Sequence, residues 1–417
     1  MKKYLLALLL VANFVVSSCS SDNDPVVPDI NKENKDNNKD EKVKGVDLNL
    51  SAAEKKVVES HNKFAVEFFG NIVEGNDENI VISPLSAICN LSILANAADG
   101  STREDIVKAI GYSDLQEVNN LNKHLLNDLE KVDPSFVKLS LANSLWMNKS
   151  LGVHLSDEFN NTSNNVYKAD NFSQVFDDNT YSLINRWAEN KTNGLIKDFY
   201  KKDDIKSSME MAILNALYFK GQFSFGFDKK DTKKETFYGY DGSTTKVDMM
   251  NQTFIFDYYG SNTVKSIAMP FGNAAFELVI ALPEENTDYK TAMKEAVGAH
   301  MQERGVNVSI PKVNASSTLG LDNTLYAMGI NTLNCNLSNI ITSNGPIELG
   351  SIKVKQKTVL SIDETGAEGA SVTGSVNETL DPEHTEQPVV FKADHPFIYF
   401  IREKASGVII FMGTYIK

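Results

Sequence analysis

The chain has 417 residues, 42% of them hydrophobic and 9% aromatic, enough to bury a large core, although length alone suggests about two or three ordinary domains. Its formal net charge of −14 excludes sequence-independent nucleic-acid binding, which needs a basic face, and favours solubility and cationic partners. The six histidines form no His-Glu-x-x-His pair, and there is no Gly-x-Ser-x-Gly elbow or phosphate-binding glycine loop, so no enzyme, metal or cofactor signature is present.

Residues 1–18 carry Lys2, Lys3 and an apolar run from Tyr4 to Val16, too short for a comfortable membrane span, which marks a cleaved targeting signal. Val16-Ser17-Ser18-Cys19 resembles a bacterial lipobox, whose cysteine is lipidated and becomes the mature N-terminus; an unlipidated signal peptide is the alternative. Ser20-Ser21-Asp22-Asn23-Asp24 resembles the acidic tract of some Bacteroidetes surface lipoproteins. Together these resemblances imply an outer-membrane lipoprotein, at the cell surface or on the periplasmic side. Residues 19–48 are rich in Asp, Asn, Lys and Glu and hold too few apolar side chains to order themselves, so a lipidated, disordered tether is expected.

Folded structure is expected from residue 49. Val57, His61, Phe64, Ala65, Phe68 and Ile72 recur at helical spacing over 52–73, behind Ser51 and Glu54, a capping box. Asn79 to Ser86 reads as a short apolar strand stopped by Ser83-Pro84, followed by an apolar helix over 87–98 and another that starts at Ser101-Thr102-Arg103-Glu104. Cys89 and Cys335 are too isolated for a disulfide framework or metal spacing and read as core thiols. Near the C-terminus Ile352, Val354, Leu360 and Ile362 alternate with Lys353, Lys355, Lys357 and Asp363, the pattern of a half-buried strand.

That strand runs into residues 364–381. From Ala367 to Ser375 nearly every residue is Gly, Ala, Ser, Thr or Val, with no proline and only Glu368 charged. At period two Ala367, Gly369, Ser371, Thr373 and Ser375 share one face, small enough to slide under a packed layer. Composition also fits an exposed linker, but connections beyond roughly 12–15 residues are uncommon in compact domains and are often functional. Two apolar runs, His395 to Arg402 and Gly407 to Gly413, then read as a buried terminal hairpin.

Strand, long small-residue loop and buried hairpin, in that order, resemble the C-terminal end of a serpin, a serine-protease-inhibitor fold. Ser83-Pro84-Leu85-Ser86 followed by Gly100 to Glu104 resembles the family's N-terminal signature. Leu141 to Met147 is similar to the strand that enters its main sheet, Ile184 to Trp187 with Thr192 to Ile196 to its helix and turn, and Leu214 to Gly221 to the strand leading to the sheet's upper end. Phe276 to Pro283, Ile310 to Lys312 and Leu325 to Ile330 fall where the family has strand, strand and helix. The resemblance covers residues 51–417 and implies one α+β domain, 49–417, with three β-sheets, about nine helices and an exposed reactive-centre loop.

The resemblance further implies a suicide-substrate protease inhibitor, not an enzyme, in which the cut loop inserts into the main sheet and drags the attached protease away. Its hinge would be Glu364, Thr365, Gly366, Ala367, Glu368, Gly369, Ala370, Ser371, Val372 and Thr373. Counting about sixteen residues beyond Glu364 puts the scissile bond at Leu380-Asp381. Val376 and Thr379 are alternatives, and counting back from His395-Pro396 gives Thr385. Leu380 suits elastase-, chymotrypsin- or subtilisin-like targets, with cysteine proteases also open; with no Lys or Arg between Glu364 and Phe391, a trypsin-like target is disfavoured. Gating residues (the shutter) would be Ser83, Ser86, Asn185 and Gln356, the last where the family often has histidine. Phe223 would be the wedge at the breach, where tryptophan is usual. No cofactor or metal is implied, and a monomer is expected. Two other classes stay open: a non-inhibitory serpin-fold binding lipoprotein, and a surface lipoprotein that captures nutrients.

Overall fold

Capping chemistry sets the start of the first described helix. In the computed structural model, which describes residues 50–129, 131, 137–152, 154–331, 335–340, 348–349, 352–367 and 387–417, the Glu54 N–H donates to Ser51 Oγ at 3.2 Å. The Glu54 carboxylate in turn accepts the Ser51 N–H at 2.7 Å, closing the capping box of α1 (Ala52–Val73). The other helices are α2 (Pro84–Ala97), α3 (Gly100–Ala109), α4 (Leu115–Leu129), α5 (Asp157–Tyr167), α6 (Thr180–Lys191), α7 (Tyr289–Gly298) and α8 (Asp322–Ala327). The helix after Ser83 starts at Pro84 rather than Ala87. Ser83 is its cap, accepting the Ser86 N–H, and proline suits the first helical position because the N–H it lacks has no intrahelical partner there.

The strands are β1 (Val81–Ile82), β2 (Val137–Asn148), β3 (Ala169–Gln174), β4 (Met211–Gln222), β5 (Lys233–Tyr238), β6 (Thr244–Gly260), β7 (Val264–Phe271), β8 (Phe276–Pro283) and β9 (Gln302–Pro311). They continue with β10 (Val313–Gly320), β11 (Cys335–Asn336), β12 (Glu348–Leu349), β13 (Ile352–Asp363), β14 (Gly366–Ala367), β15 (Val389–Lys392), β16 (Phe397–Glu403) and β17 (Ile409–Tyr415). A nine-stranded sheet runs β1-β17-β16-β8-β7-β6-β9-β15, with β5 also on β6; a six-stranded sheet runs β10-β13-β14-β4-β2-β3; β11 and β12 form a small pair. The expected terminal hairpin is β16 and β17, which lies inside the larger sheet and is buried almost throughout.

The six-stranded sheet is covered on both faces. One face packs into the main core with α2, which is buried on every side, so its apolar residues show no helical stripe. On the other, Trp146, Ala212, Leu214 and Ala216 pack against Ile184, Trp187 and Ala188 of α6. The fold is thus α+β with three sheets, and eight α-helices occur among the described residues. No helix among those residues is long and apolar enough to cross a membrane. Cys89 and Cys335 are free and buried, and burial pushes their thiols up to about 12 and about 11.

Candidate functional site

The centre of the six-stranded sheet is split along part of its length. β13 alternates buried and more exposed residues as its sequence predicts, and it pairs in parallel with β4 from Ile352↔Met211 to Thr358↔Leu217. Beyond that point each strand keeps its outer partner: β13 stays with β10 as far as Ile362↔Val313, and β4 with β2 as far as Gly221↔Val137. Between them sits β14. Ala367 pairs with Ile362 and Gly221, and Gly366 with Asp363 and Gln222, antiparallel on both sides. Two residues of the predicted hinge are therefore strand already, and the Ala367 side chain is 1% exposed.

The turn into β14 is held from several sides. The buried Glu364 carboxylate pairs with Lys312 Nζ at 2.8 Å and accepts the Thr232 hydroxyl at 2.8 Å. Burial pushes its pKa up, but the Lys312 hydrogen bond, its own backbone amide and Thr232 outweigh this and hold it below the usual carboxylate range. The carbonyls of Glu364 and Thr365 accept the N–H groups of Phe227 and Phe223, each at 2.8 Å. Gly366 has φ of +133°, and a Cβ there would lie 2.2 Å from the Gly221 carbonyl oxygen, so only glycine fits. Phe223, the expected wedge, stacks on Phe271 with ring centroids 5.0 Å apart.

Lower down, Gln356 matches the backbone of Ser83 group for group. Its Oε1 accepts the Ser83 N–H at 3.0 Å, and its Nε2 donates to the Ser83 carbonyl at 2.8 Å. Ser86 joins through its N–H to Ser83 Oγ. Asn185 does not join them, which corrects the expected set: its amide is committed to Tyr200, donating to that carbonyl and accepting that N–H, both at 2.8 Å. The register partner of Gln356 is Asn215, whose Nδ2 donates to Asn143 Oδ1 at 2.8 Å, while Asn143 Nδ2 donates to the Tyr167 carbonyl at 2.7 Å. Asn143 and Asn215 went unpredicted. The available signal was an amide inside two otherwise apolar strand motifs, Leu141-Ala142-Asn143 and Leu214-Asn215-Ala216.

Glu368, Gly369, Ala370, Ser371, Val372, Thr373, Val376, Thr379, Leu380, Asp381, Thr385 and Cys19 lie outside the described residues. His395 is partly exposed and contacts only its neighbour Asp394, at 3.0 Å, among the hydrogen bonds of the described residues. No group of three or more His, Cys, Asp or Glu among the described residues could hold a metal ion.

The profile of the family described as serpin (serine protease inhibitor) matches residues 59–417. An uncharacterised serpin-like protein of Thermococcus kodakarensis is 30% identical over 379 residues, covering 88% of this chain and 87% of its own. Antichymotrypsin-2 of Bombyx mori is 30% identical over 368 residues, covering 85% and 96%. Among solved structures, the thermophilic serpin tengpin in its native state is similar with a TM-score of 0.79 at 27% identity, covering 88% of this chain and 95% of its own. Thyroxine-binding globulin in complex with thyroxine has a TM-score of 0.74 at 24% identity, covering 87% and 99%, a likeness of fold alone.

Proposed function

The chain belongs to the serpin family, whose members are in general protease inhibitors rather than enzymes, and from that premise we propose that it traps a protease as a suicide substrate. The target cuts the loop and is held as an acyl-enzyme. The freed hinge then extends β14 downward between β13 and β4, a known serpin form of strand addition. The attached protease is carried off with its oxyanion hole and triad pulled out of register, so hydrolysis stalls.

What supports this reading is β14 itself. Gly366 and Ala367 are paired on both sides at the head of a split sheet, so insertion needs no new nucleus. Extension replaces seven rows of parallel pairing, 352–358 on 211–217, with two antiparallel ladders, the slightly more stable arrangement. About ten inserted residues gain on the order of 5–15 kcal/mol of ladder bonds before packing is counted. The residues that follow Ala367 on the inward parity, Gly369, Ser371, Thr373 and Ser375, are all small. The intact chain is then held by a barrier rather than being the most stable form.

The bond we assign is Leu380-Asp381, cut by an elastase-, chymotrypsin- or subtilisin-like serine protease, or by a cysteine protease. We also assign Cys19 as a lipid anchor to the outer membrane, with residues 19–48 as the tether, and place the inhibitor at the cell surface. Labelling with a radioactive fatty acid checks the anchor: Cys19→Ala should lose the label. Incubation with a protease panel tests the function. An SDS-stable complex, with mass spectrometry placing the cut at Leu380, is the expected result. Cleavage or binding without any such complex would point to a non-inhibitory binding module.

A further inference from the structure

Admitting a strand between β13 and β4 moves them apart by one strand spacing, about 4.8 Å. Side-chain hydrogen bonds on the α2 side of the sheet sort the molecule into two groups across that seam. On one side, Gln356 of β13 is bonded to Ser83 at the start of α2, and Ser317 of β10 accepts the Val81 N–H at 2.9 Å. On the other, Asn215 of β4 is bonded to Asn143 of β2, and Asn143 to the carbonyl of Tyr167, the last residue of α5. Asn171 of β3 ties that strand to α5 through Asn160 and Ser163, at 2.9 and 2.8 Å.

α5 is fastened to the α2 group at both of its ends. At its start, Ser156 donates its N–H to the Ile340 carbonyl and its hydroxyl to the Asn339 carbonyl, and Asn339 donates to the Ala98 carbonyl just past α2. At its finish, the fully buried Tyr167 donates its hydroxyl to Asn119 Oδ1 of α4 at 2.5 Å. Asn119 in turn exchanges amide hydrogen bonds with Asn96 of α2, at 2.9 and 3.0 Å.

We infer that α5 is a lever, pivoting at Ser156 as the sheet opens, and that the Tyr167 hydroxyl is the catch whose release sets how readily a strand is admitted. This rests on the insertion reading above. The eleven residues of α5 span about 16 Å, so a 4.8 Å displacement at the Tyr167 end is a rotation of roughly 17°. The rotation breaks the Tyr167 to Asn119 bond and leaves Asn119 its bonds to Asn96. The Tyr167 hydroxyl thus makes the hydrogen bond that opening breaks at this joint, in a pocket where Ser92 and Asn122 also face it. Tyr167 is a positioning residue: it is fully buried and acts on the sheet through Asn143 and Asn215.

Tyr167→Phe keeps the ring and removes the catch. The full chain is mixed with an elastase-like protease, and rapid quench follows the trapped complex against cleaved inhibitor. The variant should insert several-fold faster and divert more encounters into complex, while its affinity for the protease with its nucleophile removed stays at the wild-type value. Asn119→Ala, which removes the acceptor from the half-buried α4 side, should act in the same direction. Asp288→Ala, which removes the cap that accepts the Thr291 N–H at the start of α7, lowers stability on a helix that packs against α1, β7 and β8, and provides the control. If Tyr167→Phe and Asn119→Ala insert at the wild-type rate, or no faster than Asp288→Ala at equal loss of melting temperature, the lever is overturned. If cleavage gives wild type no added heat resistance, the insertion reading falls and takes the lever with it.

Discussion

Gln356 fits Ser83 because one amide offers both a donor and an acceptor, and the Ser83 backbone needs both. Gln356→Ala keeps the strand but leaves the Ser83 N–H buried without that acceptor, at a cost of about 1–3 kcal/mol. Urea unfolding of the intact protein measures it; an unchanged midpoint would mean the pairing contributes nothing. An amide also does not titrate, so the Gln356 to Ser83 bonds do not change with pH, as an imidazole's would near pH 6.5. Titration enters instead at His124, whose ring nitrogens meet Glu54 at 2.6 Å and Asp128 at 2.9 Å. The Glu54 hydrogen bond raises the His124 pKa above 6.5, against the opposing effect of burial. At Glu54 burial works upward, but the hydrogen bonds from His124 and Ser51 prevail and lower it. A raised histidine pKa means its stabilisation is complete below the unfolded value and disappears as pH rises through the folded one. Stability of wild type relative to His124→Gln should therefore fall on going upward from about pH 6.5; parallel stability profiles would contradict this. At this scale Ser83 and Gln356 were legible beforehand, since both sit in recognisable motifs. Asn185 was misplaced because a polar residue on an amphipathic helix can serve either the sheet or the following turn, and only packing against Tyr200 decides.

Among elements, β14, the start of the proposed hinge, depends most on geometry. Gly366→Ala places a Cβ against the Gly221 carbonyl at a φ that alanine resists, so β14 should be expelled from the sheet, with a loss of about 1–3 kcal/mol for the intact form. Hydrogen exchange at Gly221 and Gln222, now paired with β14, should rise; unchanged exchange would contradict the account. Ala367→Arg tests the next stage, because carrying an unpaired charge into the sheet costs several kcal/mol and should turn inhibitor into cleaved substrate. Unchanged protease trapping by that variant would sink the insertion argument. The α1 cap, the alternation of β13 and the terminal hairpin were legible because each is a local pattern. The presence of Gly366 and Ala367 in the sheet was not, since it depends on where the β13 to β4 ladder stops, at Thr358 and Leu217, which are 141 residues apart in sequence (358 − 217).

Over the whole molecule, length alone pointed to several domains, whereas the family match runs unbroken over 59–417. The reason is topological. The C-terminal strands β16 and β17 insert into a sheet begun by β1, and β13 returns to β4, so no cut in the chain yields a piece with a closed sheet. On the insertion reading, the seam headed by β14 is where the chain gains pairing without unfolding. Thermal unfolding of the purified chain before and after a single cut between residues 376 and 385 measures that gain. The account predicts that the cut form melts on the order of 10 °C or more above the intact one; equal or lower melting of the cut form would contradict it.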